Sequence, residues 1–502
     1  MAGGLSERIA AVLAIDPSAR ALEFDGRWRT WGELAATAAS VATQVPVAGT
    51  RVGVILRNRP APVAFVLGAL RAGACVVAID PSRGSERVRH DLASLELPCI
   101  AGEPDDLAKL VGPDRGATAL SASDIGGAVG VLGAASEVRS TRPGIAVQML
   151  TSGTTGPPKR VDLSYEMLAR SLSGAKHYES NRDPAQVSRS EPKASEDQQL
   201  RLRSGVAIIN SPLVHVAGLF RVLQCVCDGR SFALLERFAV ETWADAVRRH
   251  RPATASLVPA ALRMVLESDV TRDDLASIRS VVSGTAPLSA ADADAFMAKF
   301  GIPVLASYGA TEFGGGVAGW NLADHQKFWA AKRGSAGRAH PGCELRIVDP
   351  ESGLVLGADA EGALEVKAAQ LGAGASWVRT TDHARIDADG FVWILGRADQ
   401  VIIRGGFKVR PDEVRAALER HPRVRGAAVV SRPDARLGAV PVAAVELRRG
   451  PAPVTTQDLL AHVSATLARY ELPVEIRIVD ELPRTGSAKV DLAAVRALFA
   501  EA

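Results

Sequence analysis

The sequence predicts an α/β protein. A large N-terminal domain of layered α/β subdomains ends in a small β-barrel-like subdomain, and a small C-terminal α/β domain follows. Length is the first ground: 502 residues, at roughly 100 to 200 per domain, leave room for several domains and at least one large core. The second is a run of apolar strands and helices in alternation, which implies parallel sheet. The third is a change near residue 343 to short alternating strands with no long helices between them.

From Arg51 the chain reads VGVILRN, PAPVAFVLGALRAG and CVVAID. This is a strand, a helix and a strand separated by Gly, Pro or Asn, hence a βαβ unit. The alternation returns over VAIINSPL (206–213), SFALLER (231–237), TWADAVRRHR (242–251), ATASLVPAALRMVLES (253–268), IRSVVSG (278–284) and PVLASYG (303–309). CELRIVD, ALEVKA and FVWILG, joined by glycine-containing turns, predict an antiparallel sheet or small barrel. Beyond Gly396-Arg397 come strand VIIRGG, helix PDEVRAALER, strands AAVVSRPD and AVPVAAVEL, helix TTQDLLAHVSATLARY, strand VEIRIVD and a terminal helix from Asp491. The boundary is set at 398/399, giving domains 1–398 and 399–502. Tyr178 to Arg203 holds ten charged residues and almost no large apolar ones, too little to offset ordering entropy, and predicts a mobile surface insertion.

Composition excludes several classes. Apolar residues are 47% and charged residues 23% of the chain, as in ordinary folded proteins. A net charge of +3 spread over this length gives no sustained field, so neither nucleic acid nor an anionic membrane surface is an expected partner. Cys75, Cys99, Cys225, Cys227 and Cys343 are too few and scattered for a disulfide framework or a zinc site. The apolar stretch Ala61 to Ile79 is broken by Arg71 and Gly73, so no membrane span is expected. Near the N-terminus Glu7 and Arg8 precede only a short apolar run, against a secretory signal. The expectation is a cytoplasmic protein.

The strongest local signal is Thr151-Ser152-Gly153-Thr154-Thr155-Gly156-Pro157-Pro158-Lys159, directly after the apolar run IAVQML. Small hydroxyl and glycine residues after a strand leave backbone N–H groups unblocked and add donors, as a polyphosphate requires. The spacing is not that of a Walker loop, and alone it is equally a flexible Gly/Thr loop. Gly314-x-Gly316-x-x-Gly319 matches the dinucleotide fingerprint by letters but lacks the strand-turn-helix context. Ser173-x-x-Lys176 mimics a serine-acylase motif without its companions. Taken singly, His215 is a core histidine, Asp382 and Arg397 are turn or ion-pair residues, and Lys489 is one solvated lysine among many.

Together these pieces form an ordered set. TSGTTGPPK, PLVHVAG, SGTAPLS, SYGATE, GSAGRAHPGCELRIVD, RTTDHARIDADGFVWILGRADQVIIRGGFKVRPDEV and LPRTGSAKV follow one another from 151 to 490. This order resembles the adenylate-forming superfamily of acyl- and aryl-CoA synthetases, nonribosomal-peptide adenylation domains and firefly luciferase, across nearly the whole chain. The resemblance implies activation of a carboxylate with ATP and Mg²⁺ to an acyl-adenylate, followed by transfer to a thiol, here that of coenzyme A. It implies that Thr151, Ser152, Gly153, Thr154, Thr155, Gly156 and Lys159 close on the β- and γ-phosphates. Tyr308, with Gly309, lies against the adenine, and Gly284 and Thr285 lie near its edge. Thr311 serves the α-phosphate and Glu312 the Mg²⁺, an oxygen ligand suited to a hard cation. Asp382 and Arg397 hold the ribose. Lys489 bridges the substrate carboxylate and α-phosphate where negative charge builds. The small domain is then mobile, with Asp399 at its hinge and Gly405 and Gly406 lining a thiol tunnel.

By the same resemblance the acyl pocket is lined by His215, Val216, Leu219, Phe220, Ala310, Phe313, Gly314 and Gly315. These are mostly apolar and small, suiting an aryl, alicyclic or fatty acyl tail. Arg221 either meets a second carboxylate or is solvated. No early aspartate reads as an anchor for an α-ammonium group, which disfavours amino-acid adenylation. Arg160 stands where the family's loop usually continues with glycine, Thr381 replaces a glycine, and the chain between ALEVKA and WVRTTD is short. The first reading is a carboxylate–CoA ligase. The alternatives are a stand-alone enzyme loading a carrier protein and a silent nucleotide-binding regulator, the latter disfavoured by intact Glu312, Asp382 and Lys489.

Overall fold

The computed structural model describes residues 4–112, 116–133, 140–151, 159–174, 200–372, 374–450, 453–485 and 489–500. The chain divides into two compact units: one of Met1–Thr151, Pro158–Cys343 and Ala368–Ala375, the other including Glu344–Lys367 and Ser376–Ala502.

The first unit contains three sheets. The largest runs Gly130–Leu132, Thr118–Ser121, Cys99–Gly102, Arg51–Ile55, Cys75–Ile79, Ile145–Thr151, Lys159–Ser164. Its middle five strands are parallel and each end strand is antiparallel. The expected βαβ unit is its centre. Cys75–Ile79 is buried at every position, and the crossover helix Pro60–Arg71 is buried everywhere except Arg71. A strand covered on both faces has no polar side to show, so its apolar run is continuous rather than alternating. A second sheet runs Arg203–Ile209, Arg230–Leu234, Arg20–Phe24, Arg27–Thr30. The third runs Thr254–Ser256, Ser280–Ser283, Val304–Ala310, Gly315–Gly319, Arg338–Ala339, and turns antiparallel after Val304–Ala310. Trp243, Phe296 and Phe300 fill the core beside it.

In the second unit Glu344–Val348, Glu361–Lys367, Val378–Ile386 and Val392–Arg397 form a four-stranded antiparallel meander. It is the antiparallel sheet of the two forms expected: among the described residues its two end strands do not pair. A further sheet runs Phe407–Val409, Ile402–Arg404, Gly438–Leu447, Val424–Asp434, with Glu475–Val479 parallel to Gly438–Leu447. Helices Pro411–Glu419 and Thr456–Ser464 bury Val414, Leu418, Leu459 and Val463 in its core.

One expectation changes. The helix read as 455–470 stops at Ser464: Thr466 N–H tightens onto the Val463 carbonyl three residues back (3.1 Å), and Ala468 N–H is taken by the Glu471 carboxylate (2.8 Å) instead of the next helical carbonyl. The 398/399 boundary falls inside the second unit, whose meander and C-terminal sheet cluster together. The insertion falls largely on 175–199, outside the described residues, and its last residue, Arg203, already begins a strand. Among the described residues no helix is long and apolar enough to cross a membrane.

Candidate active site

Strand Val304–Ala310 carries Tyr308 and Gly309 and runs into the single 3₁₀ turn Thr311–Phe313. Phe313 is buried and anchors the turn, leaving Thr311 half-buried and Glu312 exposed. Gly314, at φ 68°, reverses the chain, so that Gly315–Gly319 returns antiparallel with Ala310 opposite Gly315 and Gly309 opposite Gly316. The approach is close: a Cβ on Gly309 would lie 2.3 Å from the Gly315 carbonyl oxygen. Only glycine fits there, and Gly309→Ala is expected to cost about 1 to 3 kcal/mol, as overpacking does, read as a fall in the thermal midpoint. Beside Tyr308, strand Ser280–Ser283 ends in Gly284, where a Cβ would sit 3.0 Å from the Ser307 carbonyl. Thr285 follows at φ 70° and is exposed. A threonine held in the left-handed region stores strain of the kind found at ligand clamps.

The apolar side of this turn is walled by helix Val216–Cys227, which packs near strand Gly315–Gly319 and near helix Tyr165–Gly174. His215 is its N-cap residue; its side chain makes no capping bond and is half-buried with Val216 and Phe220, whereas Leu219 is buried. Arg221 is held by its own helix, donating to Gln224 Oε1 at 2.7 Å, so no second substrate carboxylate is needed to explain it.

Strand Lys159–Ser164 runs close to the Thr311–Phe313 turn. Lys159 is exposed and stands opposite Thr151 in the ladder. Ser152, Gly153, Thr154, Thr155 and Gly156 lie outside the described residues. Arg160, the departure beside that loop, has a structural use: its guanidinium donates to the Ala78 carbonyl (2.9 Å) and to Asp91 Oδ2 (2.6 Å), tying the strand to its neighbours. The dinucleotide look-alike at Gly314, Gly316 and Gly319 lies on the antiparallel hairpin, not on a βα turn.

The second unit presents the other expected residues. Asp382 and Arg397 are cross-strand partners in the meander, and the Asp382 N–H donates to Thr380 Oγ1 at 3.0 Å. The Arg397 guanidinium forks onto Asp399, Nε to Oδ1 at 2.9 Å and Nη2 to Oδ2 at 2.8 Å, linking the expected ribose and hinge residues. Gly405 and Gly406 form the two-residue turn between Ile402–Arg404 and Phe407–Val409, with φ of 56° and 89°. Two successive positive φ values match the twist of a tight hairpin and favour glycine. Lys489 is fixed through its carbonyl, which accepts from Thr485 N–H at 2.8 Å. Its side chain keeps accessible surface, yet desolvation by the surrounding chain and repulsion by Arg397 hold its ammonium below the ordinary lysine range. Arg410 donates to Glu361 Oε2 at 3.1 Å and to Glu413 Oε1 at 2.8 Å, and its Nη2 lies 3.1 Å from His383 Nε2. Burial and the Arg410 charge hold His383 below its usual value.

Sequence reasoning passed over Ser171 and Gln370, both buried and bonded to the glycine strand. Ser171 stands four residues after Met167 on one helix face, the one signal that pointed inward.

Comparison with known proteins gives the family and the fold. The family model described as AMP-binding enzyme matches residues 10–374, and that of the AMP-binding enzyme C-terminal domain matches 413–489. The chain is 28% identical over 490 residues to 4-coumarate–CoA ligase 1 of Oryza sativa subsp. japonica, covering 90% of this chain and 84% of that protein. It is 33% identical over 367 residues to indoleacetate–CoA ligase of Aromatoleum aromaticum, covering 70% and 66%. Among solved structures, the ATP-bound RpMatB-BxBclM chimera B1 superposes with a TM-score of 0.82 at 25% identity over 99% of each chain. ATP-bound MatB from Rhodopseudomonas palustris gives 0.81 at 24% identity, again over 99% of each. The chain therefore belongs to the AMP-binding enzyme family and is an acid–thiol ligase of the acyl- and aryl-CoA synthetase type.

Proposed function

We propose that the enzyme activates an aryl, alicyclic or fatty carboxylic acid with MgATP and passes the acyl group to the thiol of coenzyme A. The observation that carries this reading is the exposed Glu312 carboxylate on a turn followed by the three glycines Gly314 to Gly316, with an apolar helix beside it. A charged centre next to a wall without side chains suits a ligand that is anionic at one end and apolar at the other.

In the first step a carboxylate oxygen of the acid attacks the α-phosphorus, the bond to the β-phosphate oxygen breaks, and pyrophosphate leaves. Thr311 orients the α-phosphate, while Lys159 and the loop from Thr151 to Gly156 hold the β- and γ-phosphates. Tyr308, Gly309, Gly284 and Thr285 bracket the adenine, and Asp382 and Arg397 hold the ribose. Lys489 donates to the oxygens on which charge accumulates, so it stabilises the transition state more than the ground state. The donor set fits Mg²⁺: Glu312 presents one exposed carboxylate, and this ion is usually held by one or two carboxylates together with substrate phosphates and water. Glu312 would hold it, and the ion supplies charge neutralisation at the phosphates. In the second step the CoA sulfur attacks the acyl carbonyl carbon and AMP leaves with the electron pair. The thiol comes to the carbonyl where Lys489 acted, so the part of the chain after hinge residue Asp399 rotates and brings the Gly405–Gly406 turn to the tunnel. Five scattered cysteines, too few for a disulfide framework, support a reducing, cytoplasmic setting.

The test is a panel of carboxylic acids assayed for pyrophosphate release with and without CoA. Acid-dependent release with acyl-CoA product is expected. Release that free CoA fails to discharge would instead favour loading of a carrier protein. His215→Ala is expected to alter the acid ranking and the acid KM while leaving the ATP KM within about twofold, as a pocket wall does. An unchanged ranking would return His215 to a packing role.

A further inference from the structure

We infer that Ser171 and Gln370 are positioning residues for the acid-binding wall, which they set in place through the carbonyls of Gly314 and Gly316. This rests on the acid lying against Gly314 and Gly315, as proposed above.

Three glycines in succession, Gly314 to Gly316, form the stretch assigned above to the acid pocket. Glycine samples far more backbone conformations than other residues, so this segment takes its shape from outside: from the ladder with Val304–Ala310 and from side chains that bind its carbonyls. Ser171, buried on helix Tyr165–Gly174, donates its hydroxyl to the Gly314 carbonyl at 2.8 Å. Gln370, buried in the turn Ala369–Leu371, donates Nε2–H to the Gly316 carbonyl at 2.9 Å. The carbonyls on either side of Gly315 are thus both held. Gln370 is steadied in turn: its Oε1 lies 3.7 Å from Cys343 Sγ, which accepts from Ala369 N–H at 3.5 Å.

Packing makes these bonds consequential. A Cβ on Gly314 would lie 2.6 Å from Met167 Sδ, and one on Gly315 would lie 2.9 Å from Ser171 Oγ. The glycine backbone therefore rests directly on the helix face, and the wall follows that face. Gly314 N–H also donates to the Thr311 carbonyl at 2.9 Å, so the residue gripped by Ser171 closes the turn that bears Glu312. The same helix continues from strand Lys159–Ser164. One support thereby carries both the apolar wall and the lysine read as a phosphate ligand.

Removing the Ser171 hydroxyl leaves a buried carbonyl without its donor in a segment with no stiffness of its own. The full-length protein is tested by ATP–pyrophosphate exchange with benzoate, phenylacetate, 4-coumarate, indole-3-acetate, hexanoate and octanoate. Ser171→Ala is expected to raise the KM for the best-used acid about fivefold to tenfold, the scale of one buried hydrogen bond. It should also flatten the ranking of the six acids and leave the ATP KM within about twofold. Ser171→Thr, which keeps the hydroxyl, should restore the acid KM. Gln370→Leu should give the same split independently, and it decides the question if Ser171→Ala does not fold. Equal changes in acid and ATP KM, or a lower thermal midpoint with an unaltered ranking, would overturn the inference. A ranking moved by His215→Ala but by neither Ser171→Ala nor Gln370→Leu would overturn the positioning role alone. A ranking moved by none of the three, or no exchange with any of the six acids, would overturn the pocket reading and this inference with it.

Discussion

Lys489→Ala is expected to lose acyl-adenylate formation by about 10² to 10³-fold or more, the scale of removing one preorganised charge-stabilising donor. Supplied with synthetic acyl-adenylate, the same variant should make thioester at close to the normal rate, because the lysine acts only while charge builds at phosphorus. Gly406→Leu should do the reverse. A Cβ at Gly406 meets nothing within 4 Å, although its φ of 89° adds strain at the turn tip, so the leucine is carried into the thiol path without disturbing the core. Single-turnover rates of both variants in both half-reactions decide the matter; equal losses in the two steps for both would sink the rotation of the small domain. Charge state gives a second reading. Lys489 acts as an ammonium, and burial and Arg397 depress its pKa, so adenylation should fall with rising pH before an ordinary lysine deprotonates. Lys489→Arg should displace that alkaline limb upward, since a guanidinium stays charged.

Glu312→Gln is expected to keep the fold and lose pyrophosphate release by about 10² to 10⁴-fold. Metal neutralisation of phosphate charge supplies several kcal/mol of transition-state stabilisation, and each 1.4 kcal/mol is about tenfold. Retention of the fold follows from the exposure of Glu312: buried Phe313, not the carboxylate, anchors the turn. The check is circular dichroism alongside pyrophosphate release over a Mg²⁺ titration. Near-normal release at ordinary Mg²⁺ would remove Glu312 from the metal site.

What the sequence reveals about this molecule follows the range over which its residues act. The βαβ unit from Arg51 to Ile79 was legible because doubly covered strands leave an unbroken apolar run. The strand Gly315–Gly319 was not: glycine has little intrinsic preference for strand, and its pairing with Val304–Ala310 imposes the conformation. Helix Thr456–Ser464 was overextended because the residues after Ser464 keep helical composition while the Glu471 side chain captures the Ala468 N–H that the next helical turn would use. Residues read from a motif, such as Glu312 or Asp382, stand out by their neighbours in sequence. Arg160, whose carboxylate partner lies 69 residues away, and Ser171, whose carbonyl partner lies 143 away, do not.

The clustering of the meander with the C-terminal sheet bears on how this enzyme can be recombined with its relatives. After Cys343 the chain enters the second unit, returns to the first for Ala368–Ala375, and leaves it again at Ser376. A transplant joined at 398/399 would import a foreign lysine in place of Lys489 and leave Asp382 and Arg397 behind. It would also cut across native contacts. Arg410 of the transplanted part answers Glu361 and His383 of the retained part, and a Cβ at Gly396 would come within 3.2 Å of Asp412. A graft beginning at Ser376 would carry His383, Gly396, Arg397, Asp399, Arg410 and Asp412 as one inherited set, with Glu361, Glu365 and Asp359, the carboxylate partners of Arg410, Arg379 and Arg385, still to be matched across the strand pair it divides.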